Sequence, residues 1–351
     1  MAIGRIGRGL AVFIGIILLA GCFARPDKER EVDAFEKTFF AMDTFVSVRI
    51  YTDSNTRANT VFQEVEAEIC RLEGILSAHL PGSDLARIEG AAGLGPVAVS
   101  SDTLAVINTA LKYAELTEDA FDITLAPVLR LYNFTRGNET KPTRQELAAN
   151  LPLIDWRKVQ VDMEAGTVFL LEKKMGLDLG GIAKGYMTDR VAEILSKQNL
   201  EASLINAGGD IRLLGPKLDG SPWRVGIKNP DSPDSNFAIV ESKGGAIVTS
   251  GDYERYFDVD GVRYHHIISP KTGLPANLVR SVTIIAPTGE VADLLSTAVF
   301  VMGAEAGLKL VEELAGVEAV IWDREGAVFN SSGLELVPTD TPSAQYLFKY
   351  N

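Results

Sequence analysis

Residues 178–189 read DLGGIAKGYMTD, a carboxylate, a paired-glycine turn and, a few residues further, a lysine. Glycines let a backbone approach bulky anionic oxygens, a helix start leaves N–H groups unpaired, and Lys184 adds a mobile positive charge. The segment suits a phosphate-bearing ligand, although ordinary turn chemistry before a helix uses glycines in the same way. Further on, Asp293 and Thr297 stand one helical turn apart and share a face. A carboxylate and a hydroxyl placed so make part of a shell for a hard cation such as magnesium, which completes its octahedron with water and ligand oxygens. The competing reading is an acid complementing a helix dipole and a threonine bonded to the preceding turn.

Glycine-rich turns recur at 206–210 (NAGGD) and 249–252 (TSGD), each after a strand-like stretch. Such turns present backbone N–H groups to anions, or simply end strands. Two of the three histidines, His265 and His266, are adjacent, and neighbours on a strand face opposite ways, so one of them looks into a given site. Zinc is disfavoured: there is no HExxH, no clustered cysteine, and only His79 as a third imidazole.

These groups need elements to hold them. Val46, Val48 and Ile50 alternate along a strand at 45–51, whereas Val61, Val65, Ile69, Leu72 and Leu76 recur at helical spacing over 57–76. Residues 101–116 show the same helical stripe, and Thr143 with Glu146 makes a capping box for a short helix. A hairpin is expected over 159–171, turning at 164–166, and a second one joins 256–259 to 262–268 through Asp260-Gly261. Strands are expected at 202–206, 223–228, 237–241, 246–249 and 279–286, followed by helices at 290–302 and 305–314. The predicted fold class is α+β, one domain of mixed, largely antiparallel strands with packed helices, as a single body or two interleaved lobes.

The first residues address the chain. Arg5 and Arg8 precede an apolar run that ends in Leu19-Ala20-Gly21-Cys22, a bacterial lipoprotein signal. The expected organisation is a signal peptide at 1–21, a lipidated Cys22 with a charged tether at 22–37, and a single folded domain at 38–351, held at the cell envelope by its acyl chains. Loss of residues 1–21 leaves 32 basic residues against 47 acidic ones, a net charge of −15. With no basic tract, nucleic acid is excluded as a partner. Once Cys22 carries lipid, Cys70 stands alone and no disulfide framework is available.

The ordered motifs MDTF (42–45), AFDITLAP (120–127), DLGGIAKGY (178–186), NAGGD, TSGDYERY (249–256), HIISPKTG (266–273) and ADLLSTAVFVMG (292–303) resemble the ApbE family of FAD:protein FMN transferases. The resemblance covers nearly all of the chain after the tether. It implies that FAD is bound with a divalent metal, usually magnesium, and that the FMN half moves onto a threonine or serine hydroxyl of an acceptor protein, releasing AMP. By the same resemblance, Met42, His79, Ala120, Phe121, Asp122, Asp178, Lys184 and Ile267 stand at FAD-contacting positions. Gly181, through its carbonyl, Asp293 and Thr297 stand at metal-ligand positions. His266 is the candidate for taking the hydroxyl proton, with Asp178 as the alternative base.

The acceptors implied are membrane redox subunits bearing a DxxTGAT-like motif, so the periplasmic side of the inner membrane is the expected location. Phe23, in place of the aspartate that marks inner-membrane retention, leaves the outer membrane open. Two departures stand out: Ser269 replaces a usual acid, and His79 a usual aromatic ring. FAD hydrolysis to FMN and AMP, or FAD storage without turnover, are the competing functions.

Overall fold

The computed structural model describes residues 32–339 and 348–349; the expected signal segment and Cys22 lie outside the described residues. A nine-stranded sheet forms the frame, in the spatial order Asp33–Ala41, Thr44–Thr52, Ser203–Ala207, Asp210–Leu214, Gly245–Gly251, Val279–Ala286, Glu318–Asp323, Val328–Asn330 and Phe348–Lys349. Every neighbouring pair runs antiparallel except the last. The sheet separates two cores because strand side chains alternate. Ala246, Val248, Ala319 and Ile321 point into the larger core, which the helices cover. Ile247, Val320 and Trp322 point the other way, beneath the Trp223–Asn229 and Ser232–Ser242 hairpin. A smaller apolar cluster around Val128, Tyr132 and Ile268 packs where the 264–275 segment meets residues 125–154. The result is one α+β domain. Among the described residues, no helix is long and apolar enough to cross a membrane.

The four longest helices among the described residues bury their apolar faces in the larger core. Asn55–Leu76 is capped by Ser54, whose hydroxyl accepts from Arg57 N–H, and it buries Val61, Val65, Ile69, Leu72 and Leu76, the stripe read from the sequence. Ser101–Leu116 has the predicted bounds. Ala183–Lys197 follows the DLGG turn, and Gly289–Met302 is capped by Thr288. Outside these four, the Thr143–Glu146 capping box is present in full.

Two expectations change. The sheet already begins at Asp33, with Asp33 to Ala41 in register against Thr52 to Thr44, so residues 33–37 belong to the fold and not to a tether. Their charges mislead in the sequence; in the structure Glu36 pairs with Arg49 and Lys37 with Glu66. The second hairpin also stops at His265 instead of Ile268. Beyond that point His266 N–H bonds the Arg255 carbonyl and Ile267 N–H bonds the His265 ring, which takes the chain out of the ladder.

Candidate functional site

At the start of the Ala183–Lys197 helix, Lys184 reaches two carboxylates on different elements: Asp210 Oδ2 at 2.7 Å and Asp293 Oδ1 at 3.0 Å. Asp293 is buried, and its Oδ2 accepts the Gly185 N–H at 2.9 Å. Gly185 has no room for a side chain, since a Cβ there would lie 2.1 Å from the Gly289 carbonyl oxygen and 2.8 Å from the Asp293 Cβ. The two helices therefore touch backbone to backbone, which brings Lys184 and Asp293 together across 109 residues of chain. Burial alone would lower the Lys184 pKa, but the two carboxylates outweigh it and hold the ammonium above its ordinary value. Burial pushes Asp210 the other way from a free acid, up to about 6, with Lys184 opposing and Asp293 adding to the rise.

One turn along, Thr297 faces Gly181. A Cβ on Gly181 would meet Thr297 Oγ1 and Phe121 Cε2, each at 3.1 Å, so glycine keeps this gap open beside the carboxylate of Asp293. Phe121 is buried, and its N–H bonds Thr117 Oγ1. The chain reaches it through left-handed Glu118 and Asp119, with Asp119 N–H closing onto the Ala114 carbonyl at the end of the Ser101–Leu116 helix. Asp178 joins the two motifs: its N–H donates to the Ile123 carbonyl, and its Oδ1 accepts from Gly180 N–H at 2.9 Å. Asp122 turns inward. Its oxygens accept from Thr124 N–H, Thr124 Oγ1 and Trp156 N–H, so it fixes the loop that carries Ala120 and Phe121.

The two histidines divide as their adjacency requires. His265 is buried, with Nε2 2.7 Å from the Ala276 carbonyl and Nδ1 accepting from Ile267 N–H, and this ring serves the fold. His266 Nδ1 lies 3.3 Å from the Arg255 carbonyl. A carbonyl only accepts, so Nδ1 carries the proton and Nε2 keeps its lone pair. Burial, helped by the positive charge of Arg255 and by His265, lowers the His266 pKa to about 3, and Lys184 acts in the same direction. The imidazole is thus a neutral acceptor near two cations. Its neighbour Ile267 is buried.

Met42 occupies the left-handed turn between the first two strands, with its N–H on Glu73 Oε1 at 2.7 Å. That turn packs on the NAGGD turn, since a Cβ on Gly208 would lie 2.3 Å from Thr44 Oγ1. His79 is exposed after the first helix, and among the described residues no hydrogen bond or ring contact ties it to the Lys184 cluster. The structure therefore gathers Phe121, Asp178, Gly181, Lys184, Asp293 and Thr297, sets His266 within reach of the Lys184 charge, and leaves His79 at the surface.

A family model described as the ApbE family matches residues 42–321 and so takes in every one of these residues. The chain belongs to the ApbE family. A FAD:protein FMN transferase of Treponema pallidum is 34% identical over 348 residues, 94% of each chain. A second, from Vibrio cholerae, is 34% identical over 310 residues, 86% of this chain and 90% of the relative. Among solved structures, the ApbE protein of Thermotoga maritima superposes with a TM-score of 0.77 at 37% identity, covering 86% of this chain and 97% of its own. The flavin transferase ApbE of Vibrio cholerae gives 0.78 at 31%, covering 86% and 98%.

Two features of this ApbE chain were not read from its sequence. Asp210 was visible only as the end of a glycine-rich turn, yet it is the second carboxylate on Lys184. Asp189, which closes the DLGGIAKGYMTD motif, braces the site from behind. Its oxygens accept from Gly289 N–H, Glu290 N–H and Arg212 Nε at 2.7 to 2.9 Å. It thereby ties together the helix of Lys184, the strand of Asp210 and the helix of Asp293. An acid at the end of a helical motif gave no signal of a partner so distant in the chain.

Glu290 lies beside this brace, with Oε1 buried and unpartnered among the described residues, and burial pushes its pKa up to about 7 from an ordinary 4.5. A carboxyl raised on folding favours the native state while it is protonated. Stability from this group is complete below about pH 4.5 and is lost as pH rises through 7. Glu290→Gln, neutral at every pH, is expected to raise the thermal midpoint at pH 8 and leave it nearly unchanged at pH 4, as scanning calorimetry at both values would record. An equal shift at both would refute the assignment.

Proposed function

We propose that this protein transfers the FMN moiety of FAD to a threonine or serine hydroxyl of an acceptor protein and releases AMP. The observation that carries the reading is the contact of Lys184 with Asp293, one helical turn from the Thr297 that faces Gly181, with a neutral His266 within reach of the Lys184 charge. Membership of a family whose relatives are FAD:protein FMN transferases supplies the substrate.

The donor set fits magnesium. Asp293, the Thr297 hydroxyl and the Gly181 carbonyl are hard oxygen ligands, and a single carboxylate leaves positions for water and diphosphate oxygens. In the structure the Lys184 ammonium already rests on Asp293 Oδ1, so the carboxylate is placed to meet a positive charge. When bound there, the cation supplies Lewis-acid neutralisation of the diphosphate.

This chain's own residues do the rest. Lys184 holds the diphosphate, and Phe121 walls the ring. The acceptor hydroxyl attacks the FMN phosphorus, its proton passes to His266 Nε2, and the bond from that phosphorus to the bridging oxygen breaks as AMP departs. Asp178, whose Oδ1 already holds Gly180, shapes the turn.

The test is incubation of the protein with FAD, magnesium and a redox subunit carrying the DxxTGAT-like motif. A fluorescent flavin band on a denaturing gel with equimolar AMP is expected. AMP with free FMN and no band would mean hydrolysis, and intact FAD would mean a carrier.

Localisation belongs to the same proposal. Acylation at Cys22 would hold the domain on the periplasmic side of the inner membrane, where such subunits sit, with the outer membrane as the alternative set by Phe23. Cys22→Ser is expected to move the protein from the membrane to the soluble fraction with its transfer rate unchanged. Loss of activity along with the anchor would show that the lipid does more than tether.

A further inference from the structure

The two carboxylates on Lys184 differ in their other ties. Asp293 Oδ2 accepts the Gly185 N–H at 2.9 Å, so that carboxylate keeps a partner if its Oδ1 changes hands. Asp210 is buried, and among the described residues only the Lys184 ammonium pairs with its side chain, at 2.7 Å against 3.0 Å for Asp293. A buried carboxylate stripped of its counter-charge is costly, so the Asp210 contact is the one the fold holds hardest.

The backbone fixes Asp210 in place. Ala207 and Asp210 face each other across a two-residue turn, Gly208-Gly209, whose φ angles of 64° and 107° favour glycine. Gly209 N–H closes onto Asn206 Oδ1 at 2.8 Å. Two residues along the strand, and so on the same face, Arg212 Nε holds Asp189 at 2.7 Å. Lys184 and Asp189 belong to one helix, so strand and helix are clamped by two ion pairs of opposite polarity. That clamp does not involve Asp293.

With Oδ2 of Asp293 tied to backbone, Oδ1 is the oxygen whose partner is mobile, and the ammonium now occupies it. An ammonium and a divalent cation on one oxygen repel each other, so one of them yields. We propose that Asp210 is the seat onto which Lys184 is handed when a divalent cation takes Asp293, a positioning residue that acts through the lysine and sets the metal affinity of the site. This deepens the transfer reading and rests on its metal site. Without the seat, an arriving cation would leave a partly buried ammonium with no counter-charge. With it, the charges exchange partners and none is left alone.

The experiment uses the full mature protein without FAD and with Mn2+ as the probe. Manganese suits the same oxygen donors as magnesium, and its free form is counted by electron paramagnetic resonance. Asp210→Asn is expected to raise the Mn2+ Kd at least about ten-fold, and Asp210→Ala at least about three-fold further. Both remove one charge, but only the amide oxygen of asparagine still accepts from Lys184. Net charge by itself would weaken the two variants equally. Crystals of the parent protein grown with Mn2+ give a readout that needs no variant. In them Nζ is expected within about 3 Å of Asp210 Oδ2 and more than about 4 Å from Asp293 Oδ1.

Equal Kd values for the two variants, or an unchanged Kd in either, would overturn the inference. An ammonium that stays on Asp293 in the Mn2+ crystals, or that leaves Asp210, refutes the handover even where Asp210→Ala does not fold. If the parent protein binds no Mn2+ at all, the metal site fails and takes the handover with it. Mn2+ binding with an unmoved Lys184 is a distinct result, which sinks the handover and leaves the transfer reading standing.

Discussion

Asp293→Ala is expected to lower FMN transfer at least about 10³-fold, because it removes the only carboxylate in the proposed metal shell and the charge that orients Lys184. Two consequences of the structure sharpen the test. Asp293 is buried and holds Gly185 N–H as well as the Lys184 ammonium, so alanine leaves an orphaned donor and costs about 1–3 kcal/mol of stability. Asp293→Asn keeps an acceptor for Gly185 and removes the charge and the acceptor on Lys184, which retains Asp210. It should melt close to the parent protein while transferring as poorly as alanine at limiting magnesium. Transfer rates across a magnesium titration, set beside melting curves, separate the two effects. Undiminished labelling at limiting magnesium by either variant would remove Asp293 from the site.

His266→Ala is expected to reduce kcat by about 10² to 10⁴-fold, the range for loss of a general base, with FAD affinity preserved. The reasoning starts from the carbonyl of Arg255, which can only accept and therefore leaves Nε2 as the basic nitrogen. Burial and the nearby positive charges keep that nitrogen unprotonated well below the ordinary imidazole range, so the base is available throughout neutral pH. Asp178→Asn serves as the comparison. An amide oxygen still accepts from Gly180 N–H, so a loss under about ten-fold is expected if the imidazole takes the proton. Single-turnover rates by gel fluorescence would decide, and the opposite ranking would make Asp178 the base.

The two histidines show how far sequence reasoning reached. Adjacency alone stated that one ring would turn away, and His265 does, satisfied at both nitrogens. Which ring it would be, and which nitrogen would stay free, depended on carbonyls from residues 255 and 276. Asp122 shows the converse. Its place in the AFDITLAP motif suggested contact with FAD and gave no sign of the loop anchoring that its bonds to Thr124 and Trp156 provide.

Periodicity and local chemistry determined the elements themselves. The stripe from Val61 to Leu76, the Thr143–Glu146 box and the alternation at Val46, Val48 and Ile50 are satisfied within a turn or a strand pair, so they are legible in short windows. The motif order likewise determined the family. Tertiary structure alone decided that Lys184 is shared between Asp210 and Asp293, that Asp189 braces both, and that residues 33–37 complete the sheet. The physical reason is that ion pairing and backbone contact at Gly185 act over a few ångströms in space between residues far apart in the chain, a relation that no local spacing encodes.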